Sequence, residues 1–170
     1  MTQIKICGIT NAEDALAAEA FGADAVGFVF AENSPRYIEP EAAAAISVLL
    51  KTVRRVGVFV NRDAEEVKAI QKICRLDLLQ FHGDESPSYC RAFPSSILIK
   101  AVSGEQEAPP APLQDYEVFA FLVDGRPRGL RGGTGQTADC TAAREIRRRF
   151  RLTLAGGLPP GTTEAAPPPR

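Results

Sequence analysis

Cys7 closes the short run Lys5-Ile6-Cys7-Gly8-Ile9-Thr10, and the glycine behind it allows a ligand to come close to the backbone. A thiol acts as a base or nucleophile only as thiolate, so chemistry at Cys7 requires a nearby cation or a helix N-terminus. Without one, Cys7 is a small apolar filler. Asp124 follows the apolar stretch 118–123. An apolar surrounding can keep such a carboxyl protonated so that it donates to a leaving oxygen; with Gly125 behind it, Asp124 can equally begin a turn. Arg36, in Ser34-Pro35-Arg36, is either a solvated loop residue or a planar fork able to grip a carboxylate through two parallel hydrogen bonds. His82 is the single histidine, in Gln80-Phe81-His82-Gly83-Asp84-Glu85. It is open to a role beside a ligand or to a turn role beside a neighbouring carboxylate, and it lacks the companions a metal site needs.

Two glycine clusters complete the set of candidates. Gly132-Gly133-Thr134-Gly135 and Gly156-Gly157 both present backbone N–H groups unshielded by side chains, a geometry suited to phosphate, although many such clusters only make turns. In (β/α) barrels the phosphate site is built from the loops after the last two strands, which favours Gly156 and Gly157. The residues 132–135 then read as a mobile cover.

These residues need a frame to hold them. Short β-branched runs at residues 4–7, 25–30, 56–60, 78–81, 97–101, 118–123 and 152–155 alternate with stretches of helical period at 11–21, 40–50, 63–74, 86–93 and 141–150. Asn11 is a helix cap followed by acidic residues, Gly22 a natural stop, and Pro40 a first-turn proline. The helix over 63–74 places Val67, Ile70, Ile73 and Cys74 on one side. Pro109, Pro110 and Pro112 deny a regular helix throughout 105–115.

Strict alternation implies an α/β chain of parallel strands, either an open doubly wound sheet or a barrel. Length favours the open sheet. The polar residues favour the barrel, because Lys5, Cys7, Asn61, His82, Lys100, Asp124 and Gly156 are all expected at or just beyond the C-terminal ends of separate strands. In a barrel those ends share one mouth.

The totals exclude several classes of function. The chain has 170 residues, 45% of them apolar, enough for one domain with a real core. Its 20 basic and 21 acidic residues are not segregated, so nucleic acid is not an expected partner. Arg144, Arg147, Arg148, Arg149 and Arg151 read as a solvated face near a helix C-terminus. Cys7, Cys74, Cys90 and Cys140 show no Cys-x-x-Cys spacing, and the chain opens without an apolar leader, which together suggest reduced thiols in a cytoplasm. No apolar run reaches the ~18 to 20 residues that cross a bilayer.

Taken together, residues 5–10, Gly22-Ala23-Asp24-Ala25-Val26-Gly27-Phe28-Val29-Phe30, Ser34-Pro35-Arg36-Tyr37-Ile38, Val56-Gly57-Val58-Phe59-Val60-Asn61, residues 79–83, residues 132–135 and Ala155-Gly156-Gly157-Leu158 resemble the phosphoribosylanthranilate isomerase family, in order from residue 4 to about 160. The resemblance implies a (β/α)8 barrel of TIM type. It also implies an Amadori rearrangement in tryptophan biosynthesis, acting on a phosphorylated sugar substrate without cofactor or metal. By that resemblance Cys7 is the general base and Asp124 the general acid, Arg36 holds the anthranilate carboxylate, Gly156 and Gly157 bind part of the phosphate, and His82 lies near the substrate. A related synthase of the same pathway fits less well, since its lysine-based acid chemistry is not matched by Cys7 and Asp124.

The chain also departs from that family. After Leu158 the family continues through a helix, an eighth strand and a second phosphate loop, whereas residues 159–170 here form a Pro-rich stretch expected to be irregular. The expectation is therefore an incomplete barrel over 1–158, lacking the eighth strand and final helix, with open edges on its first and seventh strands. Such edges imply reduced activity and self-association, or a non-catalytic remnant that self-associates. Ala138 and Cys140 flank Asp139 where the family tends to place aromatic residues.

Overall fold

The computed structural model describes residues 3–103, 111–124 and 151–155. The chain forms two compact units, one over residues 3–85 and one from Ser86 onward. In the first, β1 (Lys5–Cys7), β2 (Ala25–Val29), β3 (Arg54–Phe59) and β4 (Leu78–Phe81) are joined by α1 (Ala12–Ala20), α2 (Pro40–Ser47) and α3 (Ala64–Cys74). The second contains α4 (Pro87–Cys90), β5 (Leu98–Ser103), β6 (Ala120–Asp124) and β7 (Leu152–Ala155). The expected helix over 141–150 and the stretch 159–170 lie outside the described residues.

Within each unit the strands pair in parallel and in chain order, β1 to β2 to β3 to β4 and β5 to β6 to β7. A doubly wound sheet reverses its strand order at a switch point. Neither unit does so. With the usual right-handed crossovers, unreversed order puts successive helices on one face of the sheet, which is the barrel arrangement.

Local chemistry explains the boundaries. Asn11 caps α1 by accepting from the Asp14 N–H at 2.8 Å. The helix stops where Gly22 takes φ +84, the Gly22 N–H donating to Glu19 O and the Ala23 N–H to Ala18 O. Asp63 proves to be the cap of α3 rather than its first residue, accepting from the N–H groups of Glu65 and Glu66. α3 closes at Arg75 in the left-handed region.

α2 ends at Ser47, short of the expected residue 50, where Arg55 takes the carbonyl of its last residue and one beyond it: Nε donates to Ser47 O at 3.1 Å and an Nη to Leu50 O at 2.7 Å. β3 correspondingly starts at Arg54, two residues early, with the Arg54 N–H on Asp24 O. α4 is one turn, started by Ser86 and followed by Pro94.

Every residue of β2 and of β4 is buried, as expected of parallel strands covered on both faces. Phe30 stacks on Phe59 with centroids 5.2 Å apart, and Phe59 meets Phe81 at 6.5 Å. In the second unit Tyr116 packs edge-on against Phe121 at 6.3 Å. One expected core residue is misplaced: Val67, Ile70 and Cys74 are buried, but Ile73 is 48% exposed. Ile73 follows Ile70 by three positions and precedes Cys74 by one, which turns it to the edge of the buried stripe. No helix among the described residues is long and apolar enough to cross a membrane.

Candidate active site

In the unit 3–85 the pairing register sets Cys7 beside Gly27, Gly27 beside Val56, and Val58 beside Gln80, so one face of the sheet carries Lys5, Cys7, Gly27, Val58 and Gln80. Gly27 makes room for the thiol. A Cβ there would lie 2.9 Å from Cys7 Sγ and 3.3 Å from Cys7 Cα. Cys7 is half-buried. The Lys5 ammonium donates to its sulfur at 3.6 Å and to Gln80 Oε1. Gln80 is 2% exposed, and its Nε2 is 2.9 Å from His82 Nδ1.

Gly8, at φ +89, lets Arg36 cross directly above the backbone: a Cβ on Gly8 would fall on Arg36 Cδ. An Arg36 Nη donates to Cys7 O at 3.4 Å. The turn that delivers Arg36 is built by Ser34, whose hydroxyl accepts from the Arg36 N–H at 3.2 Å and whose carbonyl accepts from the Tyr37 N–H at 3.0 Å. Tyr37 in turn donates to Glu39 Oε2 at 2.9 Å, and that bond, first among its influences, raises the phenol's pKa. The fold thus gathers Cys7, Arg36 and His82 around Lys5 and Gln80.

Beneath them sits an anchor. Glu85, 5% exposed, accepts from the N–H of Asn61 at 2.8 Å and from that of Gly83 at 3.0 Å. Asn61, at φ 50, accepts from the Asp84 N–H through Oδ1 at 2.7 Å, and Gly83 is required because a Cβ there would meet that same oxygen. The loops after β3 and β4 are locked to each other.

In the second unit Asp124 is the last residue of β6 rather than the residue beyond it, level with Ser103 on β5 and Ala155 on β7. Lys100 does not stand at a strand end. It is two residues into β5, 1% exposed, with its ammonium on Ala101 O at 3.1 Å, because β5 runs on to Ser103. Lys5 likewise opens β1 rather than closing it. Gly132, Gly133, Thr134, Gly135, Gly156 and Gly157 lie outside the described residues.

Sequence reasoning missed Gln80 and Glu85 as site builders. Gln80 had a signal, a lone amide inside the apolar run Leu78-Leu79-Gln80-Phe81. Glu85 had none, since it follows His82-Gly83-Asp84 like an ordinary loop acid. Of the other described cysteines, Cys90 is 1% exposed and Cys74 is fully buried with its thiol 3.2 Å from Pro40 O. Burial, helped by the charge of Glu41, pushes Cys74 up to about 11.

A family model for N-(5'phosphoribosyl)anthranilate (PRA) isomerase matches residues 4–166. An N-(5'-phosphoribosyl)anthranilate isomerase from Syntrophus aciditrophicus (strain SB) is 53% identical over 161 residues, covering 94% of this chain and 70% of the relative. The chain belongs to the N-(5'-phosphoribosyl)anthranilate isomerase family.

Solved structures of phosphoribosylanthranilate isomerases agree. The crystal structure from Thermus thermophilus superposes with a TM-score of 0.82 at 41% identity, covering 96% of this chain and 82% of that one. A phosphoribosylanthranilate isomerase in complex with reduced 1-(o-carboxyphenylamino)-1-deoxyribulose 5-phosphate superposes at 0.78 with 40% identity, covering 98% of this chain and 81% of that one. The (β/α) barrel of the phosphoribosylanthranilate isomerases is therefore the fold class of this chain, as the unreversed strand order within each unit already indicated.

Proposed function

We propose that the chain catalyses the Amadori rearrangement of N-(5-phosphoribosyl)anthranilate to 1-(2-carboxyphenylamino)-1-deoxyribulose 5-phosphate, a step of tryptophan biosynthesis carried out in the cytoplasm. The observation that carries the reading is Cys7 at the end of β1, with the Lys5 ammonium 3.6 Å from its sulfur and Arg36 drawn across Gly8 onto its carbonyl oxygen. A base beside a cation, next to a guanidinium fork, suits a substrate that carries both an acidic C–H and an aromatic carboxylate.

In this mechanism Asp124 gives its proton to the furanose ring oxygen. The C1–O bond breaks, and the nitrogen lone pair closes a Schiff base to C1. Cys7 as thiolate then removes the proton on C2, the electron pair forms the C1–C2 double bond, and nitrogen recovers its lone pair. Protonation of C1 and loss of the 2-hydroxyl proton yield the aminoketose with no net change in protons. Proton transfers of this kind contribute about 10²- to 10⁴-fold each. Arg36 takes the anthranilate carboxylate, His82 borders the sugar, Gly156 and Gly157 bind the phosphate, and residues 132–135 cover it.

The test is to follow the loss of substrate fluorescence with the purified chain. Turnover that depends on both Cys7 and Asp124, and is abolished in Cys7→Ser and Asp124→Asn, is expected. A rate indifferent to both changes overturns the reading.

We propose in addition that the chain self-associates. Among the described residues of the unit 3–85, β1 has only β2 beside it, and a cavity of about 460 Å³ lined by Ile4, Ile6, Ala17 and Phe21 flanks it. Phe21 is 92% exposed and Ile6 43%. Phe21→Asp is expected to lower the mass measured by light scattering; a monomer before and after the change sinks this second proposal.

A further inference from the structure

We propose that Lys5 is a positioning residue that dictates which nitrogen of His82 carries the proton. The argument is one of donors and acceptors. An ammonium has three donors and no acceptor, so the atom of Gln80 that faces Lys5 is its carbonyl oxygen. The other end of the same amide is then an NH2 group, which only donates. It faces His82 Nδ1 at 2.9 Å, so that nitrogen accepts and the proton of the neutral imidazole sits on Nε2.

The amide has no freedom to turn over, because Gln80 is 2% exposed and a flip would set donor against donor at the lysine. A second N–H of the same ammonium goes to Cys7 Sγ at 3.6 Å. One cation therefore aligns the sulfur and, through Gln80, presents His82 to its surroundings as an Nε2–H donor. In the proposed function that donor borders a sugar rich in hydroxyl oxygens, and the inference rests on that reading only for its kinetic consequence.

His82 is the chain's only histidine, so its ring nitrogens are directly identifiable in a nitrogen-15 NMR spectrum. The intact chain is expected to show a protonated Nε2 and an unprotonated Nδ1. Gln80→Glu presents oxygen at both ends of the side chain, and the tautomer is expected to invert, with Nδ1 now protonated. Lys5→Met frees the amide to turn, and the two signals are expected to move toward intermediate, exchange-averaged positions. Lys5→Arg, again a pure donor, is expected to restore the original pattern.

In turnover, Gln80→Glu is expected to lower kcat by about tenfold, the worth of one neutral hydrogen bond, with KM changing by less, and Lys5→Met, which also removes the cation beside Cys7, is expected to lower it further. A spectrum that is the same in the intact chain and in either Lys5→Met or Gln80→Glu, or an intact chain already protonated at Nδ1, overturns the proposal whatever the activity. Should Lys5→Met fail to fold, Lys5→Gln, which keeps a polar side chain of similar length without the charge, carries the same test, and Gln80→Glu tests the relay with an equal number of heavy atoms. If the spectra behave as expected and no turnover is seen in any form, the proposed reaction fails and the tautomer assignment stands.

Discussion

The two ends of the strands in the unit 3–85 are built on opposite plans. At the N-terminal ends, carboxylates accept backbone N–H groups: Asp24 from Ile4 at 2.7 Å, Asp77 from Arg55 at 2.7 Å, and Glu19 from Lys51, Thr52 and Val53 at once. Toward the C-terminal ends, side chains bond to side chains, Cys7 and Gln80 to the ammonium that Lys5 extends from the start of β1, and Gln80 to His82. The first plan uses polar groups to fix the chain. The second links polar side chains to one another, while Glu85 and Asn61 hold the loops after β3 and β4 together. In the proposed function, stability and chemistry are thus drawn from opposite rims of one sheet.

The largest expected effect falls at the chemical rim. Cys7→Ser should lower turnover by about 10²- to 10⁴-fold with an unchanged thermal melt, and a fall below about tenfold would erase the distinction between the rims. Glu85→Ala tests the exception, a structural group at the chemical end. Leaving the N–H groups of Asn61 and Gly83 without their acceptor should cost about 2 to 4 kcal/mol in urea unfolding, and turnover should fall with it. Gly27→Ala, which puts a methyl 2.9 Å from Cys7 Sγ, should cost about 1 to 3 kcal/mol and displace the thiol, seen as slower turnover.

At the other rim the effects are smaller and spare catalysis. Asp77→Ala should lower stability by about 1 kcal/mol and leave kcat within about twofold. Glu19 gives a pH signature. Backbone hydrogen bonds from Thr52, Val53 and Lys51, in that order, lower its pKa from 4.5 to about 2. Its contribution is fully present above pH 4.5 and is lost as pH falls toward 2, because the unfolded chain takes up the proton first. Glu19→Gln should therefore flatten the acid limb of a stability-against-pH curve, and an unchanged limb contradicts the assignment.

Strand positions were legible where the run was short and bounded. β4 and β7 begin and end where the apolar pattern places them, and Asn11, Gly22 and Pro40 mark helix ends as capping chemistry requires. What was not legible depended on partners outside the element concerned. Nothing local says that α2 will stop at Ser47, where Arg55 takes its carbonyl, or that β5 will run on to Ser103 and enclose Lys100 within it. The candidate residues were readable one by one, Cys7 and His82 as residues at strand ends and Arg36 as a residue of the loop after the second strand. The connection of Cys7 to His82 was not, because it passes through the buried amide of Gln80, 75 positions from Lys5.

The seclusion of Cys74 and Cys90 has a consequence for how the molecule ages. Peroxide or a small electrophile meeting the folded chain finds Cys74 sealed and protonated and Cys90 closed off, so that among the described sulfurs Cys7 alone offers an approach. Oxidation at Cys7 would then remove the base of the proposed reaction while leaving the buried sulfurs Cys74 and Cys90 untouched.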